Sequence, residues 1–217
     1  MSLILKSLIF NWFVCVASEI PFGIVGGMRV NIETVSYQLA FLNNGYQYCG
    51  SSLISINFAL SAGHCVIDVE VDSITIRAGS SYSDRGGVLI FVKKTYIHPG
   101  FVAKIFLNDF ALLEFTKSVT FNTYIRPIRL PSQDQMFGDG TLCVVSGWGT
   151  MENNSRPKLL RITTVFIVNQ LKCQKNYNTT LVKFSIVDQM VCAGVAEGGK
   201  DGKNVQEQVL GSIERLI

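Results

Sequence analysis

The sequence predicts an all-β protein made of two β units joined near the middle of the chain. Short apolar runs rich in β-branched and aromatic residues recur along it, each bounded by Gly, Asn, Ser or Asp. No heptad, long amphipathic helix, low-complexity segment or internal repeat competes with them. A polar, proline-containing stretch from Lys117 to Gln133 divides the runs into two groups and reads as a connector.

In chain order the first group is Tyr37–Leu42, Ser51–Ile56, Ser73–Ala78, Val88–Lys93 and Ala111–Phe115. The second is Leu142–Ser146 and Arg161–Val168. Their spacing, with turn residues between them, suits a sandwich or a barrel. Asn169 to Tyr177 reads as a short helix. The 217 residues are 48% hydrophobic and 16% charged, enough to bury a core and unlike a disordered chain. The net charge of +3 is spread without a long basic run, which argues against a nucleic-acid partner.

The N-terminus differs from the rest. Met1 to Lys6 forms a basic start, and Ser7 to Ala17 is an apolar stretch too short to span a bilayer, which takes about 20 residues. Ala17 and Ser18 supply small residues for a signal peptidase, so residues 1–17 read as a signal peptide. A buried N-terminal strand or helix is the plainer alternative. No later stretch is long and apolar enough for a membrane helix, so the expectation is a secreted, extracellular chain with no membrane attachment after signal removal. Removal of Cys15 with the signal leaves Cys49, Cys65, Cys143, Cys173 and Cys192, an odd number. No pair has the CxxC spacing of a zinc ribbon, so no structural metal is expected; no cofactor is expected either. Asn153 and Asn178 each head a glycosylation sequon, a weak signal singly.

Three segments carry candidate chemistry. Ile24-Val25-Gly26-Gly27 offers an apolar new N-terminus with glycines that permit sharp bends, although alone it is more often a simple strand and turn. Leu60-Ser61-Ala62-Gly63-His64-Cys65 sets a histidine beside a cysteine that a disulfide to Cys49 would fix, positioning it as a general base. Asn108-Asp109-Phe110-Ala111-Leu112-Leu113 leads an acid into an apolar strand, where burial would let it orient an imidazole. Alone, His64 is more often structural and Asp109 a strand-end turn residue.

Taken together and in order, IVGG at 24–27, CGSSLIS at 49–55, LSAGHC at 60–65, HPGF at 98–101, NDFALL at 108–113 and VSGWGT at 145–150 resemble the trypsin-like serine peptidase family. The resemblance covers Ile24 to Asp201. It implies two antiparallel six-stranded β-barrels with the active site between them, residues 18–23 as a short propeptide, a first barrel over about 24–120 and a second over about 131–217. It implies His64 as general base, Asp109 as the acid that holds its tautomer, and disulfides Cys49–Cys65 and Cys173–Cys192. Peptide or protein substrates cleaved after Lys or Arg would follow, with Asp201 at the base of the specificity pocket. Gly63 stands where the family usually has alanine.

The likeness ends after Asp201. The family continues into a Gly-Asp-Ser-Gly-Gly segment, whereas this chain reads Gly202-Lys203-Asn204-Val205-Gln206-Glu207. Ungapped counting places Glu207 at the nucleophilic serine, and a carboxylate does not replace the hydroxyl in this mechanism. The oxyanion-hole amides and the acid that would receive the Ile24 ammonium belong to the same missing segment. The partner of Cys143 would lie just beyond the serine, which leaves Cys143 as the odd thiol. The expectation is therefore a family member truncated or altered before the serine, with an incomplete second barrel and no peptidase activity. The tail reads as sequence substituted after a break, or as ordinary divergence. Phe22-Gly23 before Ile24 also departs from the basic residue that a tryptic activator cuts after. The alternative function is a secreted, non-catalytic homologue that binds or regulates.

Overall fold

The computed structural model describes residues 27–132, 135, 137–150, 156–175, 186–187 and 190–194, with the backbone of 176–179 and 208–209. The architecture is all-β. Strands β2 (Gln38–Asn43), β3 (Tyr46–Leu53), β4 (Phe58–Ser61), β5 (Ile74–Ala78), β6 (Val88–Ile97) and β7 (Ala111–Phe115) close a barrel in the order β2-β3-β4-β7-β6-β5. A second sheet holds β1 (Met28–Arg29), β8 (Leu142–Gly147), β9 (Arg161–Ile167), β10 (Cys192–Gly194) and β11 (Gln208–Val209). These follow the order β1-β9-β10-β11, with β8 paired to β9. Helix α1 (Gln170–Thr179) lies between β9 and β10 in the chain.

The barrel interior follows from period-two alternation. Ile74, Ile76 and Ala78 on β5, and Ala111, Leu113 and Phe115 on β7, are buried, while the residues between them are partly open. Leu39, Phe41, Leu53 and Val92 fill the same core. Strand β2 does not alternate: Gln38 to Leu42 are all buried. The reason is a second packing surface. Leu39 and Phe41 face the barrel core, whereas Ala40 and Leu42 pack with Ile32, Val35, Trp148 and Leu160. A strand covered on both faces reads as a continuous apolar run.

Polar contacts complete this seam between the two halves. Ser146 donates from Oγ to Gln38 Oε1 at 2.6 Å, and Tyr37 Oη lies 3.3 Å from the same Ser146 oxygen. The carbonyl of Ser81 accepts from the Leu160 N–H at 2.7 Å and from Trp148 Nε1 at 3.2 Å. The connector after β7 is tied to the barrel by backbone bonds from Arg126 N–H to Ser36 and from Ile128 N–H to Leu53. Its polar sequence thus runs over the surface of the first unit before β8 begins.

Candidate active site

His64 and Asp109 are brought together by strand register. Strands β4 and β7 are antiparallel, with Ser61 opposite Ala111. The chain leaving β4 and the chain entering β7 therefore sit at the same end of the barrel. After β4 the chain turns through 62–67, closed by bonds from Cys65 N–H to Ala62 and from Val66 and Ile67 N–H to Gly63. The Cys49–Cys65 disulfide, with Cα atoms 6.3 Å apart, pins that turn to β3. Before β7, Asn108 adopts a left-handed conformation at φ 52° and turns Asp109 inward. Asparagine tolerates that region better than most residues, because its short amide can bond locally. Here Asn108 Nδ2 donates to the Gly100 carbonyl at 2.9 Å.

Asp109 spends both carboxylate oxygens on His64. Oδ1 accepts the His64 backbone N–H at 2.8 Å, and Oδ2 lies 2.7 Å from Nδ1. The side chains are 14% and 8% exposed for His64 and Asp109 respectively, so the pair is largely shielded from water. A carboxylate offers only acceptors, so Nδ1 carries the proton and Nε2 presents its lone pair. That is the tautomer a general base needs. On the Nε2 side, Cys65 Sγ lies 3.4 Å away.

Two rings enclose the imidazole and its turn. Phe106 meets it edge-on with centroids 5.7 Å apart. Phe101 occupies the space beside Gly63, where an added Cβ would meet its ring at 3.2 Å and Asp109 Oδ1 at 3.2 Å. Glycine at 63 thus lets the aromatic ring and the carboxylate approach the same point. Phe101 lies in the HPGF motif, so its presence near the site had a sequence signal. Phe106 had none: its approach depends on its own left-handed backbone at φ 50°, which no residue pattern announces. The second histidine, His98, has a local role. Its Nδ1 accepts the Gly100 N–H at 3.0 Å and its ring lies 4.6 Å from Phe110. Burial holds its pKa below the ordinary value.

The other cysteines lie in the second half. Cys173 on α1 is bonded to Cys192 on β10. Cys143 on β8 is free and fully buried, packed with Val165, Ile167 and Ala193. Its thiol donates weakly to the Thr141 carbonyl at 3.6 Å, and burial pushes its pKa up. Ile24, Asp201, Glu207 and Asn153 lie outside the described residues. Asn178 lies in α1, of which only the backbone is described at that position.

Comparison with known proteins decides the family. The family model described as Trypsin matches residues 24–204. The chain belongs to the trypsin-like serine peptidase family. Trypsin 5G1 of Aedes aegypti is 41% identical over 180 residues, covering 82% of this chain and 66% of its own length. Vitellin-degrading protease of Bombyx mori is 33% identical over 179 residues, covering 67% of its length. Trypsin-1 of Astacus astacus is 35% identical over 189 residues and is covered to 77%. The chain thus spans about two thirds of the length of the first two of these trypsin-like relatives.

Proposed function

We propose that this trypsin-family chain holds the base and acid of a peptidase site, His64 and Asp109, but does not itself hydrolyse peptide bonds. The observation that supports the reading is the contrast between the two parts of the site. The acid–base pair is closed at 2.7 Å and shielded, whereas the sequence after Asp201 contains no Gly-Asp-Ser-Gly-Gly segment. In the family that segment supplies the hydroxyl that the histidine deprotonates and the backbone amides that stabilise the oxyanion. Loss of one oxyanion donor alone costs about 100- to 1,000-fold in rate, and loss of the nucleophile is not compensated by the remaining members.

A chain of this design that kept the serine segment would cleave after Lys or Arg, with Asp201 as the acid of the pocket. Disulfides, sequons and the apolar N-terminus support secretion of the mature chain. No helix among the described residues is long and apolar enough to cross a membrane. A non-catalytic binding role is favoured by one feature: the first barrel is closed and its site loops are bonded in place. The test is expression from Ile24 and assay on basic chromogenic esters and amides. Turnover at background is the expected result. Turnover that disappears in His64→Ala overturns the proposal.

A further inference from the structure

His98 begins a chain of bonds that ends on Asp109. Its Nδ1 accepts the Gly100 N–H at 3.0 Å. The Gly100 carbonyl accepts from Asn108 Nδ2 at 2.9 Å. Asn108 holds the left-handed turn, at φ 52°, that delivers Asp109 to His64. The two ends of the loop are also joined directly, because the His98 N–H donates to the Phe110 carbonyl at 3.1 Å. We propose that His98 is a positioning residue for the acid–base pair and a proton-sensitive latch: neutral, it holds the turn that presents Asp109, and protonated, it releases that turn.

The local sequence explains why this ring takes that bond. Pro99 keeps the residue before it out of the helical region and has no N–H of its own. The first backbone donor after His98 is therefore Gly100. The Phe101 N–H closes the turn onto the His98 carbonyl at 2.9 Å, with proline in the second position that such turns favour. Gly100 is hemmed in by both partners. A Cβ there would meet Asn108 Nδ2 at 3.0 Å and His98 Nδ1 at 3.3 Å. The ring itself lies against Phe110, with centroids 4.6 Å apart. One glycine thus joins the His98 ring to the Asn108 amide, and a shift of Gly100 at either bond is felt at the other.

Protonation acts through the count of donors. Neutral imidazole has one nitrogen that accepts, and imidazolium has none. A solvent proton taken up at Nδ1 faces the Gly100 N–H, so a bond becomes a contact between two donors. Several titratable or charged groups lie on the surrounding elements. Strand β6 carries Lys93, Lys94 and Tyr96, the loop after Phe101 carries Lys104, the entry of β7 carries Asp109, β7 carries Glu114, and the turn after β4 carries His64. Among the described residues, none of these bonds to the His98 ring, and burial is what holds its pKa below the ordinary value. The latch is therefore closed above about pH 6.5 and opens as pH falls below that. It involves the acid–base pair and no nucleophile, so it stands whether or not the chain hydrolyses peptides.

The test is amide hydrogen exchange by NMR on the full chain from about pH 8 to about pH 5, across the histidine range. Rates are expressed as protection, which removes the intrinsic pH dependence of exchange. The probe is the His64 N–H, bonded to Asp109 Oδ1. The reference is the Leu53 N–H, bonded to the Tyr37 carbonyl elsewhere in the barrel. In wild type, protection of the probe should fall about 2- to 12-fold, the factor for losing one ordinary hydrogen bond. The fall should share its midpoint with the His98 ring C–H signals, while the reference holds. Protonation of His64 itself strengthens its bond to Asp109 and moves the probe the other way. His98→Asn keeps a side-chain acceptor for the N–H two residues on but does not titrate, and should show no fall. His98→Ala should show the lowered protection even at neutral pH. Probe protection indifferent to the His98 titration, an equal fall in His98→Asn, an equal fall at Leu53, or full neutral-pH protection in His98→Ala overturns the proposal.

Discussion

Removing the Asp109 carboxylate tests how much of the barrel's stability is invested in the acid–base pair. Asp109→Ala deletes two bonds at once, to the His64 backbone N–H at 2.8 Å and to Nδ1 at 2.7 Å. Hydrogen bonds to a charged group contribute about 1.5–3 kcal/mol each when measured by deletion, and a buried donor left unpaired adds its own desolvation cost. The two bonds share one side chain and are not additive, so about 3 kcal/mol is expected for Ala. Asp109→Asn keeps an oxygen for the backbone N–H but sets an amide against Nδ1, and is expected to cost about half as much. With a urea slope of about 2 kcal/mol/M, the Ala variant unfolds about 1.5 M earlier. The assay is equilibrium urea unfolding of the oxidised chain. Nitrogen-15 spectra of His64 should show the Nδ1-protonated tautomer in wild type and the Nε2-protonated one in Asp109→Asn. An Ala variant within about 0.5 kcal/mol of wild type, or an Asn variant as costly as Ala, refutes the reasoning.

Further outcomes follow from other parts of the molecule. His98 has its pKa lowered by burial, so the unfolded chain binds its proton first as pH falls. Stability from this residue is present above the unfolded value of about 6.5 and is lost as pH drops toward the folded one; a pH series of urea midpoints on wild type and His98→Asn should show that slope only in wild type. In a chain starting at Ile24, Cys143 is the thiol expected to react with a disulfide reagent after unfolding and to resist it in the native state, because it is fully buried; rapid native-state labelling would contradict this. Gly63→Ala should destabilise by about 1 kcal/mol, since the new methyl presses on Phe101 and Asp109 and overpacking outweighs the gain in unfolded-state entropy. Pairing Gly63→Ala with Phe101→Leu should recover most of that loss in the same unfolding assay.

The legibility of the fold depended on whether a strand's surroundings matched its local pattern. The sequence run Ala111–Phe115 coincides with β7, because one face is in the core and the other partly open. The helix expected over Asn169–Tyr177 lies within two residues of α1, Gln170–Thr179. Strand β4 has no local signature: Phe-Ala-Leu-Ser has four residues and no β-branched side chain, and it is a strand because β3 and β7 flank it. The apolar run predicts β6 only as far as Lys93, where two lysines end it, although the chain stays extended to Ile97. The pairing of Lys93 with Glu114, and the bond from Tyr96 Oη to Glu114 Oε2 at 2.6 Å, belong to tertiary register and not to local propensity. In the same way His64 and Asp109 were visible as residue types in motifs. The rings of Phe101 and Phe106 around them arise from a loop path that the motifs do not encode.

The acid–base geometry of His64 and Asp109 has a structural reason that lies in the first barrel. The parts that orient His64 come from the first barrel: the β4–β7 register, the disulfide to β3, the left-handed turn at Asn108, and the Phe101 and Phe106 loop. Asp109 also has a structural task. Its buried carboxylate satisfies the backbone N–H of His64, so the turn carrying the histidine depends on it whether or not a serine is present. A buried carboxylate whose partner is removed costs several kcal/mol, so the histidine and the aspartate hold each other in place. The pair is therefore expected to act as a folding element of the first barrel whether or not the chain is catalytic. Close geometry between His64 and Asp109 is thus evidence for barrel integrity, and evidence for peptide hydrolysis has to come from the nucleophile.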